Sequence, residues 1–158
     1  MKVSLDADAL LSGLDALADD AYSVARTMGA AVGAAMRDEA KASIRSRSGL
    51  LASSLYVAFN PETSTNTSVM YSVSWNRKKA PHGHLVEFGH WRTNVTVQLP
   101  DGRWITTKEK LPKPEWVPAR PFLRPAQSAV APRALNIAVA AGSRRFAELT
   151  NGGTNGNS

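Results

Sequence analysis

Apolar residues near the start of the chain recur in alternating steps of four and three. They predict one long helix over residues 6 to about 47, with a seam at Leu10, Leu14, Leu17, Ala21, Val24, Met28, Ala31 and Ala35. A repeat of 3.5 residues is typical of a seam that faces another helix or a sheet. Gly29 and Gly33 lie inside it, and each costs about 1 kcal/mol relative to Ala in a helix. Either these glycines make a close backbone contact or the helix breaks there, and we favour one long helix with a bend.

The pattern changes to strands after the turn residues Ser48–Gly49. The segment from Leu50 predicts a strand that ends at Asn60–Pro61. Residues 68–75 alternate, which predicts a second strand with one buried face, formed by Val69, Tyr71, Val73 and Trp75.

The segment HGHLVEFG predicts one or two helical turns that Gly89 closes in the left-handed conformation. Residues 93–107 predict a hairpin with a turn at Pro100–Asp101–Gly102. Residues 108–118 are basic and contain prolines, which indicates a link.

A last helix is predicted from Arg120–Pro121 onward, with Pro121 in its first turn and a bend or restart at Pro132. Residues 151–158, NGGTNGNS, predict a disordered tail. The fold class is therefore α+β, with a long N-terminal helix, a small mostly antiparallel sheet with a protruding hairpin, and a C-terminal helix. A single domain over residues 1–150, with a hairpin extension at about 91–117, accounts for the chain.

The charges are divided along the 158 residues, which carry a net +6. The first 40 residues hold three basic and seven acidic side chains, and the remainder holds sixteen basic and six acidic. Such a dipolar chain can dock head to tail on its own copies, or lay its basic side on an acidic partner such as nucleic acid. A plainly solvated surface is the simpler alternative.

The sequence gives little support for an enzyme. It contains no cysteine, no G-x-S-x-G elbow, no HExxH and no glycine-rich phosphate loop. His82, His84 and His90 with Glu87 form a cluster with the residue types of a zinc or iron site, but their spacing matches no motif with a mechanism, and surface histidines are the commoner explanation. We therefore expect no reaction and no cofactor. No apolar run is long enough to span a membrane.

Three tryptophans, Trp91, Trp104 and Trp116, alternate with basic side chains, and Arg77, Lys78 and Lys79 form a further basic cluster. Aromatic residues among cations can stack bases. They also suit a protein interface. A small basic nucleic-acid-binding protein is therefore the second hypothesis.

Three motifs, SGLLASSL (48–55), HLVEFG (84–89) and PARPFLRPA (118–126), lie in this order after the long helix. Together they resemble the lambdoid-phage gene-product-ten family of morphogenesis proteins, over roughly residues 5–149. His90 and the long stretch 91–117 depart from the family pattern. The motif residues we expect to be structurally important are Gly49, Leu50, Glu87, Phe88, Gly89, Arg120, Pro121, Phe122, Arg124 and Pro125.

The resemblance implies a non-enzymatic virion protein of the phage neck or tail, assembled in the host cytoplasm. It implies a ring of copies that completes the tail or joins it to the head or connector. We expect a sixfold ring on the tail side, or a twelvefold ring on the portal side. Its partners would be further copies, other neck, connector or tail proteins, and DNA in the lumen, with no membrane involved.

Glu87 lies between Val86 and Phe88, where a lone carboxylate is costly unless it is paired. We predict that it pairs with Arg120 or Arg124 and locks the short helix onto the start of the last helix. A solvated Glu87 is the alternative.

Overall fold

The computed structural model describes residues 7–45 and 48–152. Its helices and strands are, in chain order, α1 (Ala7–Ser43), α2 (Leu50–Ser54), β1 (Leu55–Phe59), β2 (Tyr71–Trp75), α3 (Gly83–Phe88), β3 (His90–Gln98), β4 (Trp104–Val117), α4 (Leu123–Val130) and α5 (Ala134–Gly152). The predicted α+β class is confirmed.

Helix α1 is continuous through both of its internal glycines. A Cβ on Gly29 would lie 2.8 Å from the Tyr71 ring, and one on Gly33 would lie 2.7 Å from Val57 Cγ1. The glycines therefore let the β1–β2 sheet approach the helix backbone closely, and no break is needed to explain them. The helix ends at Ser43, earlier than predicted, and residues 46–47 lie outside the described part.

The seam of α1 is packed along only part of its length. Val24 and Met28 face α5, where a Cβ on Gly142 would lie 2.8 Å from Met28. Residues 14–21 are exposed throughout, so the predicted seam lacks a partner there within the described chain. The seam side chain Leu10 lies outside the described side chains.

Two separate antiparallel pairs replace the single small sheet of the prediction. In the first, Leu55 pairs with Trp75 and Phe59 with Tyr71. The strand predicted from Leu50 begins only at Leu55, because residues 50–54 form the single helical turn α2, and Ser53 N donates to Gly49 O. The strand predicted from residue 68 begins at Tyr71.

The second pair, β3–β4, is a long hairpin (residues 90–117), in which His90 pairs with Val117 and Gln98 with Trp104. Gly102, at φ +82°, closes its turn, as predicted. The basic link predicted over residues 108–118 is wrong, because residues 108–117 continue strand β4. Prolines are tolerated in this strand because a two-stranded ribbon consists of edge strands only.

The core lies where the C-terminal part of α1 meets α2, β1, β2 and α4. Its buried apolar residues are Ala40, Leu51, Leu55, Trp75, Ala80, Phe122 and Ala126. On α4, Ala126 and Val130 are four apart and both are buried, so one face of this helix packs on α1.

The last helix is divided, as the proline predicted. A 3-10 turn over Ala131–Arg133 separates α4 from α5. Helix α4 begins at Leu123, so Pro121 precedes the helix and Pro125 stands in its first turn. Helix α5 runs antiparallel to α1, since Arg133 pairs with Glu39 and Arg145 donates to Ser23. It continues to Gly152, into the predicted tail, and residues 153–158 lie outside the described part.

Candidate assembly site

Glu87 joins α3 to the start of α4. Its side chain is only 1% exposed, and its Oε2 accepts hydrogen bonds from the backbone N–H groups of Phe122 (2.7 Å) and Leu123 (3.1 Å). Arg120 N donates to Val86 O at 2.8 Å beside it. We call this arrangement the Glu87 latch. The carboxylate satisfies N–H groups that the first turn of a helix leaves free, and its charge suits the positive end of the helix dipole.

Of the two arginines predicted to pair with Glu87, Arg124 is the one whose guanidinium the structure places beside the carboxylate. Its Nε lies 3.5 Å from Oε1, and its Nη2 donates to Glu87 O at 3.4 Å. The Nε contact lacks hydrogen-bond geometry, and Oε1 is buried without a hydrogen-bond partner in the described chain. The Arg124 side chain is 65% exposed. The backbone donors are therefore the main partners of Glu87, and the ion pair is secondary.

Gly89 ends α3 at φ +76° and ψ 171°, and its N–H donates to Leu85 O at 2.9 Å. The positive φ agrees with the prediction, although ψ lies outside the left-handed helical region. A Cβ there would stand 2.8 Å from Val117 O and 2.9 Å from Ala119 N. Glycine is required both by the dihedral angles and by the close backbone of the following segment.

The remaining motif residues divide into buried and exposed ones. Phe122 is buried and meets Trp75 edge-on, with ring centroids 5.9 Å apart. Leu51, not the predicted Leu50, points into the core, and Leu50 is exposed. The other motif side chains are exposed, namely Arg120, Pro121, Arg124, Pro125 and Phe88, and the last of these has the Arg124 guanidinium 5.7 Å from its ring centroid.

The three tryptophans do not form one surface. Trp91 and Trp116 pair across the hairpin, with ring centroids 5.4 Å apart and a T-shaped arrangement. Arg92 follows Trp91 and therefore points to the opposite face, because successive strand residues alternate. Trp104 shares a cleft with Arg92, so it lies on that opposite face.

The cleft between α3 and the hairpin has a volume of about 630 Å³. We call it the hairpin cleft, and its lining residues are Leu85, Val86, His90, Arg92, Thr96, Trp104, Val117, Pro118 and Arg120. Arg92 donates to Thr96 Oγ1 and forms an ion pair with Glu115. Even so, Arg92 Nε and His90 Nδ1 are buried without a hydrogen-bond partner in the described chain. The cleft is thus mainly apolar, and two of the residues that line it carry buried polar atoms without a partner in the described chain.

The tip of the hairpin is held by Asp101. Its carboxylate accepts from Arg103 N at 2.9 Å and from Arg103 Nε at 2.6 Å. The hydrogen bond from the Arg103 backbone N–H lowers the pKa of Asp101 below its usual value of 3.8, and the hydrogen bond from the Arg103 side chain is the second cause. The sequence indicated this turn but did not indicate the part that Asp101 plays in it.

The histidines do not gather into a metal centre. Across residues 7–45 and 48–152, no three His, Asp or Glu side chains are placed to hold a metal ion together. Nor does any helix of that part combine the length and apolarity that a membrane span requires.

Sequence reasoning missed two features of this region. Gly83 is buried, and a Cβ there would collide with the Trp75 indole, so the short helix packs on β2 through a glycine. The burial of Leu51 was missed because residues 50 and 51 are both leucines. Only the helical turn of α2 decides which of the two side chains points into the core.

A family model described as "Bacteriophage HK97-gp10, putative tail-component" matches residues 8–89, which is just over half of the chain. The match contains the first two motifs and the Glu87 side of the latch, whereas the third motif and the hairpin lie beyond it. No curated protein and no solved structure matches the chain. The protein therefore belongs to the HK97-gp10-like family of phage tail components.

Proposed function

We propose that this protein is a structural subunit of a ring at the phage neck or the proximal end of the tail. In this role it completes the tail or joins it to the head or connector. The observation that carries the proposal is the amount of apolar surface that the fold leaves uncovered on a member of a tail-component family. The large exposed side chains include Leu14, Leu17, Trp91, Trp104, Trp116 and Phe146.

Single exposed apolar side chains are ordinary, but grouped ones mark interaction sites. Leu14 and Leu17 lie one helical turn apart on α1, and Trp91 and Trp116 touch each other. These groups lie on different elements, α1 and the β3–β4 hairpin. A subunit with two different apolar surfaces can contact its copies head to tail. Such contacts close a ring when the rotation angle between neighbouring copies is a whole fraction of 360°.

The charges support contacts between different surfaces. The exposed part of α1 carries Asp15, Asp19 and Asp20, whereas β4 carries the exposed cations Lys108, Lys110 and Lys113. Opposite charges on two separate surfaces favour unlike over like contacts. In this proposal the protein performs no reaction, and the Glu87 latch has a structural role.

The proposal is tested in a phage that encodes the chain and from which its gene has been deleted. We expect lysates with separate heads and tails and few infectious particles, and we expect added purified chain to restore infectivity. Joined, infectious particles without the chain would contradict the proposal. As a matched control, the variant Lys78→Glu, on the exposed loop after β2, should restore infectivity as well as the unaltered chain.

DNA binding is the competing hypothesis, and it concerns the same exposed cations of β4, Lys108, Lys110 and Lys113. It predicts tight association with duplex DNA that weakens steeply with the logarithm of salt concentration. The ring proposal predicts assembly onto tails that proceeds without DNA. DNA-dependent assembly would favour the competing hypothesis.

A further inference from the structure

We propose that the exposed part of α1 in one copy docks into the hairpin cleft of a neighbouring copy. We call residues 14–21 of α1 the acidic arm. This inference rests on the proposed ring and names the two surfaces that meet in it. The occupant of the cleft is thus a second copy of this chain.

The acidic arm is a helix face that lacks a partner. Leu17 is 66% exposed, although it belongs to the same seam that packs Val24 and Met28 against α5. A 3.5-residue seam is the pattern of a helix that packs against another element. Because no described residue of the chain covers the seam at this level, the seam indicates a partner from outside.

The charges of the arm surround its apolar stripe. At 100° per residue, Leu14, Leu17 and Ala21 share one side of the helix. Asp20 flanks this stripe on one side and Asp15 lies on the other, whereas Asp19 lies nearly opposite it. Within the described residues, no cation pairs with these three carboxylates. The arm therefore presents a narrow apolar stripe between two acidic edges.

The hairpin cleft has the complementary character. Leu85, Val86 and Val117 supply apolar wall, and Trp104, which is 62% exposed, supplies a large aromatic surface. Arg120 supplies positive charge, and the guanidinium of Arg92, which is already paired with Glu115, lies beside it. An amphipathic helix in an apolar groove with charged edges is a recurring mode of recognition.

Two residues that line the cleft also carry buried polar atoms that lack a partner within the described chain. Arg92 Nε is buried and unpaired in the described chain, and His90 Nδ1 is buried in the same state. Buried polar groups are normally hydrogen-bonded, so unsatisfied ones require an explanation. The Arg92 side chain is 35% exposed, so carboxylates from an acidic helix would supply further acceptors for the exposed part of its guanidinium.

The two surfaces lie too far apart to meet within one copy. The C-terminal end of α1 is beside α3, since Ser43 and Ile44 share a second cleft with His82 and Val86. Helix α1 ends at Ser43, and the acidic arm ends 22 residues before it, so at 1.5 Å per residue the near end of the arm is about 33 Å away. The arm can therefore fill only the cleft of another copy, which produces a head-to-tail contact.

The test uses cysteine cross-linking, because the natural chain contains no cysteine. A Leu17→Cys chain is mixed with a Trp104→Cys chain, both as concentrated purified protein and in virions rebuilt with the two chains. We expect a disulfide-linked dimer from the mixture and none from either variant alone. A chain with both substitutions should give a ladder that stops at the size of the ring. Glu62→Cys, on the exposed 3-10 turn after β1, replaces Trp104→Cys in the control mixture and should give no cross-link.

A charge exchange provides a second readout. Asp20→Lys and Arg120→Glu should each reduce assembly at least tenfold, and the two together in one chain should restore most of it. Both side chains are exposed, so an unchanged melting temperature should confirm that each variant is folded.

The outcomes separate this inference from the proposed function. Rings that form without the Leu17–Trp104 cross-link and without charge rescue would overturn the inference and leave the ring proposal intact. Virions that contain no ring of this chain would overturn both. Cross-linking of either variant to another tail protein, in place of a second copy, would also overturn the inference.

Discussion

At the residue scale, the buried Glu87 carboxylate is stabilised mainly by two backbone N–H groups rather than by a counter-ion. The hydrogen bonds to Phe122 N and Leu123 N are short, and the contact with Arg124 is longer and lies at the surface. Charge-assisted hydrogen bonds are about twice as strong as neutral ones, whereas exposed ion pairs contribute little. Glu87 therefore fixes the start of α4, and with it the position of Phe122 in the core.

Substitutions at Glu87 should have a graded effect on the free energy of unfolding. Glu87→Ala leaves two buried N–H groups unsatisfied, and we expect a loss of about 3–5 kcal/mol. Glu87→Gln keeps an oxygen acceptor and should lose about 1–2 kcal/mol. Arg124→Ala serves as the control and should lose less than about 1 kcal/mol. Urea denaturation measures all three.

A larger loss for Arg124→Ala than for Glu87→Ala would show that the ion pair, and not the backbone contact, holds the latch. A double-mutant cycle of Glu87→Gln with Arg124→Ala measures their coupling directly. We expect a coupling of at most about 1 kcal/mol.

The two positive-φ glycines of the motifs should differ in their tolerance of alanine. Gly49, at φ +62°, has no neighbour within 4 Å of the position that a Cβ would take, so Gly49→Ala should lose only about 1–2 kcal/mol from the left-handed backbone. Gly89→Ala adds close approaches to Val117 O and Ala119 N, so its loss should be larger by at least about 1 kcal/mol. Thermal unfolding of the pair compares them, and equal losses would contradict the close packing at Gly89.

The sequence identified several residues of the latch but not its geometry. Glu87 stood out because a carboxylate between Val86 and Phe88 needs a partner. That its partners are backbone groups could not be read from side-chain types, since any residue at positions 122 and 123 except proline offers an N–H. Leu51 could not be separated from Leu50 for a similar reason.

At the element scale, periodicity predicted the long helix, the two short strands and the hairpin turn. It failed where a local helical turn replaced a strand at residues 50–54, and where the proline-bearing residues 108–117 continued as a strand. Proline disrupts a strand where a neighbouring strand would accept a hydrogen bond from the N–H group that proline lacks. In a two-stranded ribbon, the outward-facing backbone positions have no neighbouring strand, so proline is tolerated there.

The hairpin tip should respond to acid. The pKa of Asp101 is lowered in the folded hairpin by the Arg103 N–H and guanidinium, so this contact stabilises the turn above the pKa of the unfolded chain. The stabilisation is lost as the pH falls through the folded pKa. A titration followed by NMR should give an Asp101 pKa below 3.8 and reduced amide protection at the turn below it.

Asp101→Asn is the control for this titration, and its turn protection should be independent of pH over the same range. An Asp101 pKa at or above 3.8 would contradict the contact with Arg103.

At the scale of the whole molecule, an acidic helix end and a basic hairpin lie on separate elements of one chain. The core occupies the region around the C-terminal part of α1, while residues 14–21 and the hairpin tryptophans remain outside it. Among the described residues, folding of one copy thus leaves apolar surface exposed at the arm and at the hairpin. The uneven charge along the sequence indicated such a subunit, but the seam of α1 gave no sign that residues 14–21 would be exposed.

Imaging of the intact virion tests this account most directly. Electron microscopy of particles in which the chain carries a C-terminal tag should show several copies arranged in one ring at the neck or the proximal end of the tail. A single copy, or copies located elsewhere in the particle, would contradict the account.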